Sequence, residues 1–99
     1  MKSAARIFRA LADPTRRQIL EELKHGPLPA GEIAARFPVS APTISRHLSL
    51  LEAAGLVSYR REANRLLYKT EPECLLAALN TFLSAVCPTQ NTIRKRRPK

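Results

Sequence analysis

The chain has 99 residues, of which 44% are hydrophobic and 5% aromatic, so it encodes one small domain with a mainly aliphatic core. Seventeen Lys and Arg against eight Asp and Glu give a formal net charge of +9, which favours a polyanionic partner such as nucleic acid. No run of residues is long and apolar enough to cross a bilayer or to act as a signal peptide, so we expect a cytoplasmic protein without a membrane partner.

Two short helices are predicted at the N-terminus. The first covers residues 4–12 and is too short to be stable alone, so it must pack on another surface. Asp13 and Pro14 fit the N-cap and the first position of a second helix, which runs to about residue 24.

A third short helix over 31–37 is followed closely by a longer fourth helix. Ser40 fits the N-cap of this fourth helix, and Gly55 fits the left-handed residue just past its end. An apolar stripe at helical spacing predicts its buried side, formed by Ile44, Leu48 and Leu51. Two helices joined by so tight a turn are typical of a helix-turn-helix.

The outer face of the fourth helix carries candidate DNA contacts. Small hydroxyls, an arginine and a histidine suit insertion into a major groove, but the solvated face of an ordinary amphipathic helix explains the same pattern. His47 lies toward the buried stripe, which gives a structural role equal standing with a DNA contact. The candidate residues are Ser40, Pro42, Thr43, Ser45, Arg46, His47 and Ser49.

Alternating residues after Gly55 predict a β-hairpin, with strands over 56–62 and 65–70 and with Asn64 supplying the positive φ of the turn. Arginines at its tip can lie along the phosphate backbone or enter a minor groove, as in a DNA-binding wing. A solvated hairpin with ordinary surface charge is the alternative. The candidate wing contacts are Arg60, Arg61, Asn64 and Arg65.

The last predicted helix opens at residues 71–73 and continues to Cys87 with no charged residue from position 74 onward. That pattern is too apolar for a helix with one solvated side. We interpret it as a subunit interface formed together with the first helix, and a fully buried core helix is the alternative. The predicted interface residues are Ile7, Phe8, Leu11, Leu75, Leu79, Phe82, Leu83 and Val86.

Cys74 and Cys87 lie about 20 Å apart if this helix is continuous, far beyond the roughly 7 Å that a disulfide allows. A thiol-based sensor acting across a dimer and a pair of small apolar side chains are both open interpretations. Residues 89–99 carry basic residues and no acid, which predicts a disordered arm that either binds DNA or is simply solvated. We therefore divide the chain into a folded domain over 1–88 and a tail over 89–99.

Three segments resemble the ArsR family of bacterial winged-helix repressors: L-A-D-P-T-R-R-Q-I-L over 11–20, S-A-P-T-I-S-R-H-L over 40–48 and L-E-A-A-G-L-V over 51–57. The similarity covers about residues 4–87 and is greatest to the SdpR-like autorepressors, which share the D-P-T-R-R opening. It implies a mainly helical winged helix-turn-helix of five helices with a two-stranded wing. It further implies a homodimer formed through the first and last helices and an inverted-repeat operator.

The resemblance matches residues 60–65 to the family's wing and five residues to its recognition helix, namely Ser40, Thr43, Ser45, Arg46 and His47. It implies that Arg46 contacts a guanine and that the hydroxyls hold phosphates. Metal-sensing relatives use a cysteine pair at the start of the third helix, or histidines and acids on the last helix. Residues 29–32 contain no cysteine, and the last helix contains no histidine or aspartate. We therefore expect no metal site and no cofactor, and the sequence names no inducer.

Together these features predict a sequence-specific DNA-binding transcriptional regulator, a dimeric repressor that occludes a promoter. An enzyme is not expected, because neither His25 nor His47 has a nucleophile beside it and no phosphate-binding loop is present. Two alternatives are a redox-sensing repressor that uses Cys74 and Cys87, and a helical module whose last helix binds a different protein.

Overall fold

The computed structural model describes residues 4–87. They form α1 (Ala4–Leu11), α2 (Pro14–Leu23), β1 (Leu28–Pro29), α3 (Ala30–Ala35), α4 (Ala41–Ala53), β2 (Val57–Glu62), β3 (Arg65–Thr70) and α5 (Pro72–Val86). The predicted architecture of five helices and a β-hairpin is confirmed. The predicted basic tail over 89–99 lies outside the described residues.

The predicted helix caps are confirmed. The Asp13 carboxylate accepts a hydrogen bond from the backbone N–H of Arg16 at 3.1 Å, which starts α2. The Ser40 hydroxyl accepts from the backbone N–H of Thr43 at 3.3 Å, which starts α4. Gly55 follows α4 with a φ of 83°, the left-handed conformation expected just past a helix end.

The hairpin pairs β2 with β3 from Val57 opposite Thr70 to Glu62 opposite Arg65. A third strand, β1, pairs antiparallel with the other edge of β3, so the strand order is β1-β3-β2. Sequence patterning missed β1 because two residues, one of them a proline, are too few to show alternation. This strand joins the base of the hairpin to the start of α3.

The hairpin turn corrects one prediction. The left-handed residue is Ala63, with a φ of 58°, whereas Asn64 does not have a positive φ. A positive φ at the first of two loop residues is the pattern of a type II′ turn, which favours glycine at that position. Because the register pairs Glu62 with Arg65, the turn must be made by Ala63 and Asn64 even though alanine suits it poorly.

The core is aliphatic and holds α4 in place. Ile19, Ile33, Leu51 and Ala54 are fully buried, and the predicted inner stripe of α4 is no more than 1% exposed. Within residues 4–87, every buried side-chain N or O atom has a hydrogen-bond partner. Rotation of α4 would expose this stripe to water, so the opposite face of the helix stays turned toward solvent.

Helix α5 packs only one side against this core. Its outer side carries Leu76, Leu79, Leu83 and Val86, which are between 37% and 61% exposed. The rings of Phe82 and Phe8 meet edge-on with centroids 5.2 Å apart, which joins α5 to α1. We call Phe8 together with Leu76, Leu79, Phe82, Leu83 and Val86 the α1/α5 apolar surface. Ile7, predicted for the interface, is instead 2% exposed in the core, and Leu11 and Leu75 pack against that core. Helix α5 is therefore not fully buried within one chain, and no described helix is long and apolar enough to span a membrane.

Candidate nucleic-acid interface

The exposed face of α4 carries the predicted recognition residues. All except His47 are exposed, namely Ser40, Pro42, Thr43, Ser45, Arg46 and Ser49. The N-terminus of α4 is exposed, and the positive end of the helix dipole at this point attracts phosphate. The Ser40 and Thr43 hydroxyls lie 2.9 Å apart, within hydrogen-bond distance across this first turn.

Arg46 is the main cationic side chain of this face. It is exposed, and within residues 4–87 it has neither a hydrogen bond nor an ion pair. Its planar guanidinium can donate two parallel hydrogen bonds to the O6 and N7 atoms of a guanine. No intramolecular bond needs to break before such a contact forms.

His47 faces α2 rather than solvent. Its side chain is 14% exposed, and its Nε2 lies 3.9 Å from the Asp13 carboxylate, too far for a hydrogen bond. Its Nδ1 lies 3.2 Å from Nη1 of Arg16. Because a guanidinium only donates, Nδ1 accepts in this bond and the ring proton lies on Nε2, toward Asp13. The arrangement fits the structural role considered for His47 from the sequence.

The Asp13 carboxylate stays ionised between these groups. Partial burial raises the pKa of Asp13, but hydrogen bonds from the backbone N–H groups of Arg16 and Thr15 and the positive charge of Arg16 lower it by more, so the net pKa lies below its ordinary range. An ionised Asp13 is the stronger cap for the N-terminus of α2.

The arginines at the wing tip differ in whether they form an ion pair within the described part of the chain. The Glu62 carboxylate lies 3.4 Å from the guanidinium of Arg60 and 3.8 Å from that of Arg65, so it forms an ion pair with each of them. Arg61 is exposed and has no ion pair within the described part of the chain. Asn64 is also exposed, at the turn. Arg61 is therefore the wing cation most available to a phosphate.

Sequence reasoning missed Arg16, which links three helices. Its Nε donates to the carbonyl of Ala10 at 2.7 Å and its Nη2 to that of Arg9 at 3.1 Å, so it caps the end of α1 as well as contacting His47. The available signal was an arginine in the first turn of α2, directly after the predicted end of α1.

The described residues contain no group of three or more His, Cys, Asp or Glu side chains that could hold a metal ion. The Cys74 thiol donates to the carbonyl of Ala54 at 3.7 Å and is half-buried. Helix α5 is continuous from Pro72 to Val86, so Cys74 and Cys87 lie at its two ends. A redox role for these thiols stays a prediction.

Known proteins of similar sequence are DNA-binding transcriptional regulators. A family model described as a helix-turn-helix domain matches residues 11–60. The HTH-type transcriptional regulator Rv2034 of Mycobacterium tuberculosis is 49% identical over 82 residues, which cover 83% of this chain and 76% of that protein. The transcriptional repressor SdpR of Bacillus subtilis is 37% identical over 87 residues, which cover 88% of this chain and 97% of SdpR.

Two solved structures share the fold. An ArsR-like transcriptional regulator from Rhodococcus sp. RHA1 matches with a TM-score of 0.77 at 32% identity, covering 93% of this chain and 86% of that one. The homodimeric winged helix-turn-helix DNA-binding domain Mb0332 of Mycobacterium bovis matches with a TM-score of 0.68 at 32% identity, covering 82% and 76%.

Proposed function

Because this chain belongs to the ArsR family of winged helix-turn-helix transcriptional regulators, we propose that it is a dimeric repressor that binds an inverted-repeat operator and occludes a promoter. The family predicted from three sequence segments is confirmed, and with it the function of a DNA-binding transcriptional regulator. The proposal adds the oligomeric state, the operator and the residues that read it. It involves no catalysed reaction, and it places the protein in the cytoplasm with the DNA.

The exposed face of α4 is the observation that carries the proposal. A buried stripe holds the inner side of the helix, an exposed first turn carries the positive end of the helix dipole, and the Arg46 side chain has no partner among residues 4–87. In this arrangement Arg46 reads a guanine in the major groove, while Ser40, Thr43 and Ser45 hold phosphates. The wing adds a phosphate contact through Arg61.

The α1/α5 apolar surface supports the dimer. Five large apolar side chains of α5 are at least 37% exposed along it, more than a lone domain of this size usually leaves in water. A second copy of the chain docked here covers the surface by an isologous contact. The similar domain Mb0332 is homodimeric, which supports a dimer for this chain.

A two-fold dimer constrains the operator. Its two α4 helices enter successive major grooves on one side of the duplex, with centres about 34 Å or one helical turn apart. The operator is then an inverted repeat, and a dimer bound over a promoter excludes the polymerase. The promoter of its own gene is the first candidate, by analogy with the autorepressors it resembles.

Selection of duplexes from a random pool tests this proposal. We expect enrichment of an inverted repeat whose half-sites are separated by one helical turn and contain a guanine within reach of Arg46. A pool selected with Arg46→Ala serves as the matched control and should lose the preference at that guanine. An asymmetric single site, or no enrichment at all, would contradict the dimeric repressor.

A further inference from the structure

A cleft lies between α1, α2 and the C-terminal half of α4, beside Arg16. Its volume is about 340 Å³, at the small end of the range for ligand pockets in proteins. It lies along α4 about one turn beyond Arg46, and neither the proposed operator contacts nor the α1/α5 apolar surface includes its residues. The cleft is lined by Arg6, Arg9, Ala10, Arg16, Leu50 and Ala53.

Three guanidinium groups line this cleft, and no carboxylate of residues 4–87 does. Arg6 and Arg9 are three residues apart on α1, so two like charges lie on one side of a helix, which is unfavourable. Arginine keeps its charge at every physiological pH, so the lining stays cationic. An anionic group bound here offsets this repulsion and accepts charge-assisted hydrogen bonds.

The rest of the lining is apolar. Leu50 is 43% exposed, because the inner side of α4 is already occupied by the buried stripe. Ala10 and Ala53 complete the wall without any polar side-chain atom. A hydrocarbon group placed against Leu50 removes this exposed surface from water. The lining therefore matches a molecule with an anionic head and a short apolar body.

We propose that this cleft binds a small amphipathic anion, a carboxylate or phosphate monoester carried on a short hydrocarbon body. The anionic head lies between Arg9 and Arg16, and the body lies against Leu50. Helical periodicity places Arg6 and Arg9 on the side of α1 roughly opposite to Phe8 and Leu11. A second copy docked on the α1/α5 apolar surface therefore leaves the cleft open to solvent.

Arg16 couples this site to the recognition helix. The guanidinium that faces the cleft also contacts His47 of α4 at 3.2 Å. An anion that draws Arg16 into the cleft competes with His47 for this donor and loosens the contact between α2 and α4. Ligand binding therefore lowers operator affinity, a step that rests on the proposed function. Reciprocity requires bound operator to lower the affinity for the anion by the same factor.

Calorimetric titration of the full chain, without DNA, tests the binding step. Sodium octanoate and octyl phosphate are the probes, used below their micelle concentrations, and they distinguish a carboxylate from a phosphate head. We expect saturable binding of at least one of them. Octanol, which has the body without the charge, and acetate, which has the charge without the body, should not saturate.

A pair of charge-matched variants locates the site. Arg9→Gln should weaken probe binding by about tenfold, as expected for the loss of one charge-assisted hydrogen bond. Lys24→Gln removes the same charge at the far end of α2 and should leave probe binding unchanged. Addition of the probe to the wild-type complex with the selected operator should then raise the concentration of protein needed for half-saturation.

Several results would overturn the proposal. These are failure of both probes to bind, equal losses in Arg9→Gln and Lys24→Gln, and a bound probe that leaves operator affinity unchanged. If no probe binds and Arg9→Gln weakens DNA binding instead, the cleft arginines contact DNA phosphates. Probe binding is measured without DNA, and operator selection is measured without probe, so failure of one is distinguishable from failure of the other.

Discussion

Arg16 and His47 are 31 residues apart in sequence, and their side chains meet with Nη1 3.2 Å from Nδ1. The same guanidinium donates to two carbonyls at the end of α1. One side chain of α2 therefore holds the end of α1 and the middle of α4. The position of α4, the proposed recognition helix, depends on a residue that we do not place on DNA.

This relationship predicts a stability difference between neighbouring arginines. Arg16→Gln should lower the free energy of unfolding by about 2 kcal/mol, because hydrogen bonds from a charged donor to three acceptors are lost. Arg17→Gln is the matched control, since the Arg17 side chain is exposed and makes one hydrogen bond among residues 4–87, to the carbonyl of Leu11 at 2.7 Å. Urea unfolding measures both. Equal losses would show that Arg16 does not hold the three helices together.

The two helix caps should differ in their response to pH. Asp13→Ala and Ser40→Ala should each cost about 1 kcal/mol at pH 7, the usual value of a cap. The pKa of Asp13 is lowered in the folded chain, so its contribution is present above the ordinary aspartate pKa and is lost as pH falls through the lower folded value.

This difference is tested by measuring the free energy of unfolding of both variants and of the wild type between pH 7 and about pH 2.5. The difference in free energy of unfolding between the wild type and Asp13→Ala should narrow below about pH 4, because protonation removes the charge from the cap. The gap for Ser40→Ala should stay constant, since its hydroxyl does not titrate. A gap for Asp13→Ala that does not change with pH would contradict the lowered pKa.

Arg46→Ala should relax discrimination at one base pair of the operator and cost about 1–3 kcal/mol of binding free energy. The fold should be unaffected, because Arg46 is exposed and has no partner among the described residues. Lys24→Ala removes the same charge outside the proposed interface and controls for a general loss of attraction. Competition with single-base operator variants measures the preference, and unchanged discrimination would remove Arg46 from base recognition.

Glu62→Gln should tighten DNA binding. Glu62 pairs with Arg60 and Arg65 at the wing tip, so its neutralisation frees two guanidinium groups for phosphates. The slope of log affinity against log salt should steepen by about one to two units, since each additional phosphate contact releases counterions. Glu21→Gln makes the same charge change on α2. If both variants respond alike, the wing arginines have no special contact with DNA.

Leu83→Glu should convert the dimer to a monomer and weaken operator binding. Leu83 lies on the α1/α5 apolar surface with 41% of its area exposed, so a charge there costs little in the monomer and much in a dry interface. Ser84→Glu adds the same charge to the next position of α5, on its polar side. Light scattering measures the mass. A Leu83→Glu chain that stays dimeric would place the interface elsewhere, and a monomeric wild type would favour a module that binds a different protein.

Local signals were sufficient to predict most elements. Capping residues such as Asp13 and Ser40, a glycine with positive φ after α4 and an apolar stripe depend on neighbouring positions, and each was confirmed. The exposed apolar side of α5 was also visible, since a helix without charge must bury more surface than one chain provides.

Features set by long-range contacts were not predictable in this way. Strand β1 owes its existence to pairing with β3, about 40 residues later, and not to its own two residues. The register of β2 and β3 put the left-handed residue at Ala63 instead of Asn64. The contact between Arg16 and His47 joins helices whose packing no local pattern encodes.

Fluorescence anisotropy on the selected operator tests the central claim, sequence-specific DNA recognition, most directly. A labelled operator duplex and a scrambled duplex of the same composition are titrated with the full chain at two salt concentrations. The account predicts that the operator binds roughly 10³-fold more tightly than the scramble at the same salt. Equal, salt-sensitive binding to both would contradict it and leave only the general attraction of a chain of charge +9 for DNA.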